Sequence, residues 1–127
     1  MTALKKPKKR PKRNYSHQAD QLFSQLVRSG GVCESSRPEH SPRLQCAHGF
    51  SRRYRAVRWD RRNAWCLCEK CHQFYTAHPI EWTDWMIERL GAEGYEELRQ
   101  LALSGERPDF PSLIAFLKEQ LQRVGAA

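Results

Sequence analysis

The pentapeptide Cys68-Glu69-Lys70-Cys71-His72 constrains this chain more than any other stretch. Two thiolates three residues apart can grip one tetrahedral ion from a tight knuckle, which pins whatever comes before and after the turn. Taken alone, the spacing also fits a redox pair, but a thioredoxin-type role requires a βαβ setting that the flanking pattern lacks. Cys33 lies in the Ser-, Pro- and Arg-rich segment 32–43, which reads as a loop or second knuckle. The position that would complete a second C-x-x-C is Ser36. Cys33, Cys68 and Cys71 are thus three candidate ligands of a structural zinc ion. The fourth is drawn from His40, Cys46, Cys66 or water.

A metal suits the size of the chain. At 127 residues it reads as one domain, with a core modest enough for an ion to help hold it. No run approaches the roughly 18 apolar residues of a membrane span, and no hydrophobic stretch follows the basic N-terminus as in a signal peptide. The expectation is a cytoplasmic protein with no membrane association, in which five cysteines are better read as metal ligands than as disulfides. The net charge of +8 is uneven. Residues 5–13, KKPKKRPKR, form a basic tail, residues 28–62 hold nine arginines against Glu34, Glu39 and Asp60, and the C-terminal half is acidic. Such a distribution fits a polyanionic partner.

Three regions follow: a disordered basic tail over 1–14, a core over 15–78 with a leading helix, and a helical extension over 79–127 packed on that core. Ala19, Leu22, Phe23, Leu26 and Val27 repeat at helical spacing, which predicts a helix capped by Ser16 and ended by Gly30-Gly31. LQCAHGF and YRAVRWD are each about a strand long, with Val57 and Trp59 sharing a face of the second. A helix opens near Glu69. Pro79 and Glu81 open another that stops at Gly91, with Trp82, Trp85, Met86 and Leu90 on its apolar side, and two shorter helices complete the chain. The class is α+β, a small strand–strand–helix zinc-knuckle core with an N-terminal helix and C-terminal helices.

His48, Asn63 and His72 form a second constellation. Together with the Cys33 loop, the motifs AHGF, RWDRRN, CEKCH and RLGAEGYEEL occur in an order that resembles the HNH, or ββα-metal, nucleases. Within them the resemblance is closest to phage recombination nucleases of the NinG/Rap type, which act on branched DNA such as Holliday junctions. It covers about residues 15 to 104. The resemblance implies that His48 is the general base, that Asn63 bridges the loop between the strands and holds His48, and that His72 ligates a catalytic Mg²⁺ or Mn²⁺. Where many relatives carry a metal-binding Asp or His before the base, this chain has Ala47, so Asp60, Gln45 and His78 are candidates for the remaining positions. A homodimer follows from the resemblance, because a resolvase uses two active sites.

Six arginines, Arg52, Arg53, Arg55, Arg58, Arg61 and Arg62, surround the proposed base within eleven residues. Any single one reads as solvated surface; as a group beside a phosphodiester catalyst they read as phosphate contacts on DNA. The expected activity is metal-dependent DNA hydrolysis, on branched or recombination-intermediate DNA. The competing expectations are a zinc-knuckle DNA-binding or architectural protein that needs neither histidine, and a redox protein that has no use for the arginines.

Overall fold

The computed structural model describes residues 14–125, so the basic tail lies outside it except for Asn14. The architecture is α+β: four main helices around one two-stranded antiparallel sheet. Helix α1 spans Tyr15–Val27. Its cap is Asn14 rather than Ser16: the Asn14 side chain accepts from the His17 N–H at 3.0 Å, so the helix begins one residue after the asparagine.

Strand β1, Leu44–His48, pairs with β2, Ala64–Cys68, in the register Leu44↔Cys68, Cys46↔Cys66 and His48↔Ala64. The second strand is therefore AWCLC and not YRAVRWD. All five residues of β2 are buried, which explains why it reads as a continuous apolar run without alternation. Residues 51–63 instead form a staircase of turns, in which the N–H groups of Tyr54, Val57, Asp60 and Asn63 bond the carbonyls of Ser51, Tyr54, Val57 and Asp60. The local β preference loses to packing. Val57 and Trp59 do not share a face: Val57 joins Leu98 and Ala102, whereas Trp59 packs with the α1 side chains.

Helix α2, Glu69–Ala77, starts directly from β2, with Cys68 as its cap. Helix α3, Pro79–Leu103, breaks at Gly91, whose φ of 75° and ψ of 160° lie outside helical space. The predicted stop at Gly91 is therefore a kink between two helical pieces. Helix α4 spans Phe110–Gly125.

The sheet separates two clusters. On one face Ala64 and Cys66 meet Ala19, Phe23 and Leu26 of α1 and Ile114 and Leu117 of α4. On the other, Ala47 and Leu67 meet Cys71 and Tyr75 of α2, with Trp82 and Trp85 of α3 against them. Trp65 meets both of those indoles edge-on, at 5.5 and 5.2 Å between ring centroids. The C-terminal helices thus share both cores with the strand–strand–helix unit.

Candidate active site and metal centre

The thiols converge. Cys33, His40, Cys68 and Cys71 place one ligand atom each within 4.8 Å of one another, so the cluster can hold a zinc ion. The His40 Nδ1 lies 3.6 Å from both the Cys68 and the Cys71 sulfur. Zinc bonds of about 2.3 Å to sulfur and about 2.0 Å to nitrogen, set at a tetrahedral angle, span about 3.5 Å, close to these separations. Of the open choices for the fourth ligand, His40 is the one that joins. Cys46 and Cys66 face each other across the sheet, on the α1 side.

Burial raises the Cys68 thiol, but hydrogen bonds from the Cys71 and Ser41 backbones and from His40 outweigh it and bring Cys68 down to about 5. Cys71 is raised, by burial and then by Cys68. The Arg37 guanidinium rests 3.8 Å from the centre of the Phe74 ring, and its Nη1 donates to the Cys71 sulfur at 3.7 Å.

His48 ends β1. Its Nε2 lies 2.8 Å from the Arg58 carbonyl oxygen. A carbonyl only accepts, so Nε2 carries the hydrogen and Nδ1 keeps the lone pair. Burial pushes the ring below the ordinary histidine range; the Arg58 carbonyl opposes this, and the charge of Arg52 reinforces it. His48 is therefore a neutral, oriented imidazole at neutral pH.

Asn63 is fully buried, and none of its side-chain hydrogen bonds goes to the His48 ring. Its amide nitrogen donates to the Phe50 and Val57 carbonyls, both at 3.1 Å, and its oxygen accepts from the Phe50 N–H. The expected bridge across the loop is present, but its hold on His48 is indirect. Asn63 fixes the Val57 carbonyl, and the next residue, Arg58, supplies the carbonyl that orients the imidazole. Gly49 makes room for this arrangement, since a Cβ there would stand 2.9 Å from the Asn63 Oδ1 and 2.5 Å from the Met86 sulfur.

His72 approaches β1 from the other face. With Gln45 Oε1 accepting at 2.7 Å, Nδ1 donates and Nε2 is left free for a ligand. Burial lowers this ring too. Strand alternation puts Cys46 and His48 toward α1 but Gln45 and Ala47 toward α2, so the two histidines lie on opposite faces of the sheet. Gln45, Cys46 and His48 line one cleft of about 1020 Å³ against α1, and His72 is not among the residues that line it.

Among the described residues no second group of three His, Cys, Asp or Glu ligands converges. Asp60 pairs with Arg62 at 2.7 Å, and His78 bonds the Phe74 carbonyl and stacks on that ring. Of the three candidates for the remaining ligands, only Gln45 touches His72.

The arginines divide. Arg58 is 13% exposed and, with Arg52, is paired to Asp20. The same carboxylate accepts from the Trp59 indole N–H at 2.9 Å and from the Arg58 Nε at 3.0 Å. Arg58 is therefore a structural residue rather than the surface phosphate contact expected of it. Arg52 and Arg62 are exposed but ion-paired, while Arg53, Arg55 and Arg61 have no carboxylate partner among the described residues.

Sequence reasoning missed Asp20. The available signal was an isolated acid bordering the apolar stripe of α1, in a chain with an arginine-rich segment. Burial raises its carboxyl, but the bonds and charges of Arg58 and Arg52 outweigh this and hold it below the usual range. Comparison with protein-family models, curated proteins and solved structures returns no match.

Proposed function

We propose that this protein is a metal-dependent DNA endonuclease of the HNH type, hydrolysing phosphodiester bonds in branched or recombination-intermediate DNA. The observation that carries the reading is His48: a neutral imidazole with one nitrogen fixed by a backbone carbonyl, set in a polar cleft at a strand end. A purely structural zinc knuckle has no need of such a group.

His48 Nδ1 takes the proton from the attacking water as the water closes on phosphorus. A base poised near neutrality contributes on the order of 10²- to 10⁴-fold. Gln45 fixes the His72 ring and leaves Nε2 as the protein ligand for Mg²⁺ or Mn²⁺, whose charge would be offset mainly by substrate phosphates and water, as is usual for these hard ions. Bound there, the ion supplies stabilisation of the phosphate charge and of the departing 3′-oxygen. Arg53, Arg55 and Arg61 lie free to neutralise flanking phosphates. Cys33, His40, Cys68 and Cys71 hold zinc, which ties the segment before β1 to the start of α2.

A second reading, a zinc-knuckle DNA-binding module without catalysis, draws on the lack of a second three-ligand cluster among the described residues. One experiment separates them. Zinc-loaded protein is incubated with linear, flap and four-way-junction DNA, with Mg²⁺, with Mn²⁺ or with neither. The nuclease reading requires cuts only with added metal, and a higher metal requirement in His72→Ala. Tight binding with no cut in either metal establishes the second reading instead.

A further inference from the structure

The cleft beside His48 is built from more than the catalytic end of β1. His17, Gln21, Ser24, Gln25 and Arg28 recur along one face of α1 and form one wall, opposite the apolar face that carries Phe23 and Leu26. Arg43, Leu44, Gln45 and Cys46 form the other wall. The one acid in the lining, Asp20, is already bound by Arg52 and Arg58. What remains open are the side-chain amides of Gln21 and Gln25, the Ser24 O–H, whose oxygen accepts from Arg28, and the guanidinium groups of Arg28 and Arg43; the Gln45 oxygen is taken by His72.

The free edge of β1 adds backbone groups. The Gly49 N–H bonds the Asn63 carbonyl and the Glu69 N–H bonds the Arg43 carbonyl, each at 2.8 Å. Bonded and non-bonded pairs alternate along an antiparallel ladder, so Leu44, Cys46 and His48 are the non-bonded positions. Their N–H and C=O groups point away from β2, toward the cleft, and no described residue supplies them a backbone partner.

We propose that this cleft is a track for a single unpaired nucleic-acid strand, gripped at its phosphates by Arg28 and Arg43 and read at its base edges by Gln21 and Gln25. The track rests on the nuclease reading only in leading the strand to His48. Amides and a hydroxyl match the hydrogen-bonding edges of unstacked bases, and a cationic groove follows a sugar–phosphate backbone. In a duplex the Watson–Crick edges are taken up by base pairing, so side-chain amides reach them only on an unpaired strand. An extended peptide could pair with the β1 edge, but it would need apolar pockets for its alternate side chains, and this wall is polar.

The test is binding, so it needs no cleavage. The full zinc-loaded chain, without Mg²⁺ or Mn²⁺, is titrated by fluorescence anisotropy against labelled oligothymidine and a blunt duplex over a range of salt. Each phosphate contact on a single strand contributes about −0.7 to the log–log salt slope. Arg43→Ala and Arg28→Ala should each flatten the oligothymidine slope by about that amount and leave the duplex slope unchanged. Gln21→Ala with Gln25→Ala should keep the slope but alter the ratio of oligothymidine to oligoadenosine affinity.

The Arg28 Nε bonds Ser24, so its loss could fray α1. Arg43 makes no described side-chain bond, and its variant keeps the test decisive. Equal flattening on both DNAs, or none on the single strand, overturns the track; with none, competition by an extended peptide would assign the edge to strand addition. Wild-type protein that binds oligothymidine with the expected slope yet cuts nothing leaves the track standing and removes the nuclease reading. Cutting by a protein whose arginine variants bind normally does the reverse.

Discussion

The chemistry of His48 is set by its neighbours. The Arg58 carbonyl fixes the tautomer, and burial with the charge of Arg52 keeps the ring neutral. On the proposed reading that His48 is the general base, the rate should fall as pH drops through its lowered pKa, with a midpoint below the ordinary value of about 6.5. Arg52→Ala removes a charge that lowers this pKa and frees part of Asp20, which raises it, so both effects carry the acid limb to higher pH. A single-turnover pH–rate profile of wild type and variant checks the sign; a limb that moves down or stays fixed contradicts this electrostatic account. Cysteine ligands were legible at this scale because C-x-x-C is a local signal. The choice of His40 over Cys46 was not, because it depends on the face of β1 that Cys46 occupies. Nor was Asp20, whose partners stand 32, 38 and 39 residues along the chain.

Among the elements, α1 lies where its apolar spacing put it, α2 opens at Glu69 as expected, and the glycine at 91 marks a break in the helix that Pro79 opens. The second strand was misplaced. Tyr54, Val57 and Trp59 carry strand propensity, yet the loop must deliver Val57 to the α3 side and Trp59 to the α1 side, which no flat strand can do. The turn staircase solves this and leaves Asn63 to clamp both ends of the loop. Gly49 is the tight point of that clamp. Its replacement in Gly49→Ala would force a methyl group against the Met86 sulfur and the oxygen of the Asn63 amide, a group that three hydrogen bonds hold in place. Overpacking of this kind costs about 1–3 kcal/mol. Urea unfolding should show the loss as an earlier midpoint at unchanged slope; an unaltered midpoint would mean the loop yields freely.

Across the whole molecule, two small cores share a sheet of only ten strand residues. The cysteine–histidine cluster ties the 33–40 segment to the β2–α2 junction, so metal binding and folding should be coupled. Cys71→Ser should lose the zinc found in wild type by metal analysis and lose thermal cooperativity with it. A zinc-free protein that melts like wild type would remove the metal from the account. No helix among the described residues is long and apolar enough to cross a membrane. The uneven charge was plain in the sequence; how the arginines divide between ion pairs and open surface was not, because each pairing depends on a distant carboxylate. The proposed nuclease activity turns on His48 abstracting the proton in phosphodiester hydrolysis. The most direct measurement is the single-turnover cleavage rate of four-way-junction DNA by wild type and His48→Ala, both zinc-loaded and at saturating Mg²⁺ or Mn²⁺. The rate of His48→Ala should fall on the order of 10²- to 10⁴-fold with zinc content and DNA affinity retained, whereas an unchanged rate would show that His48 is not the base.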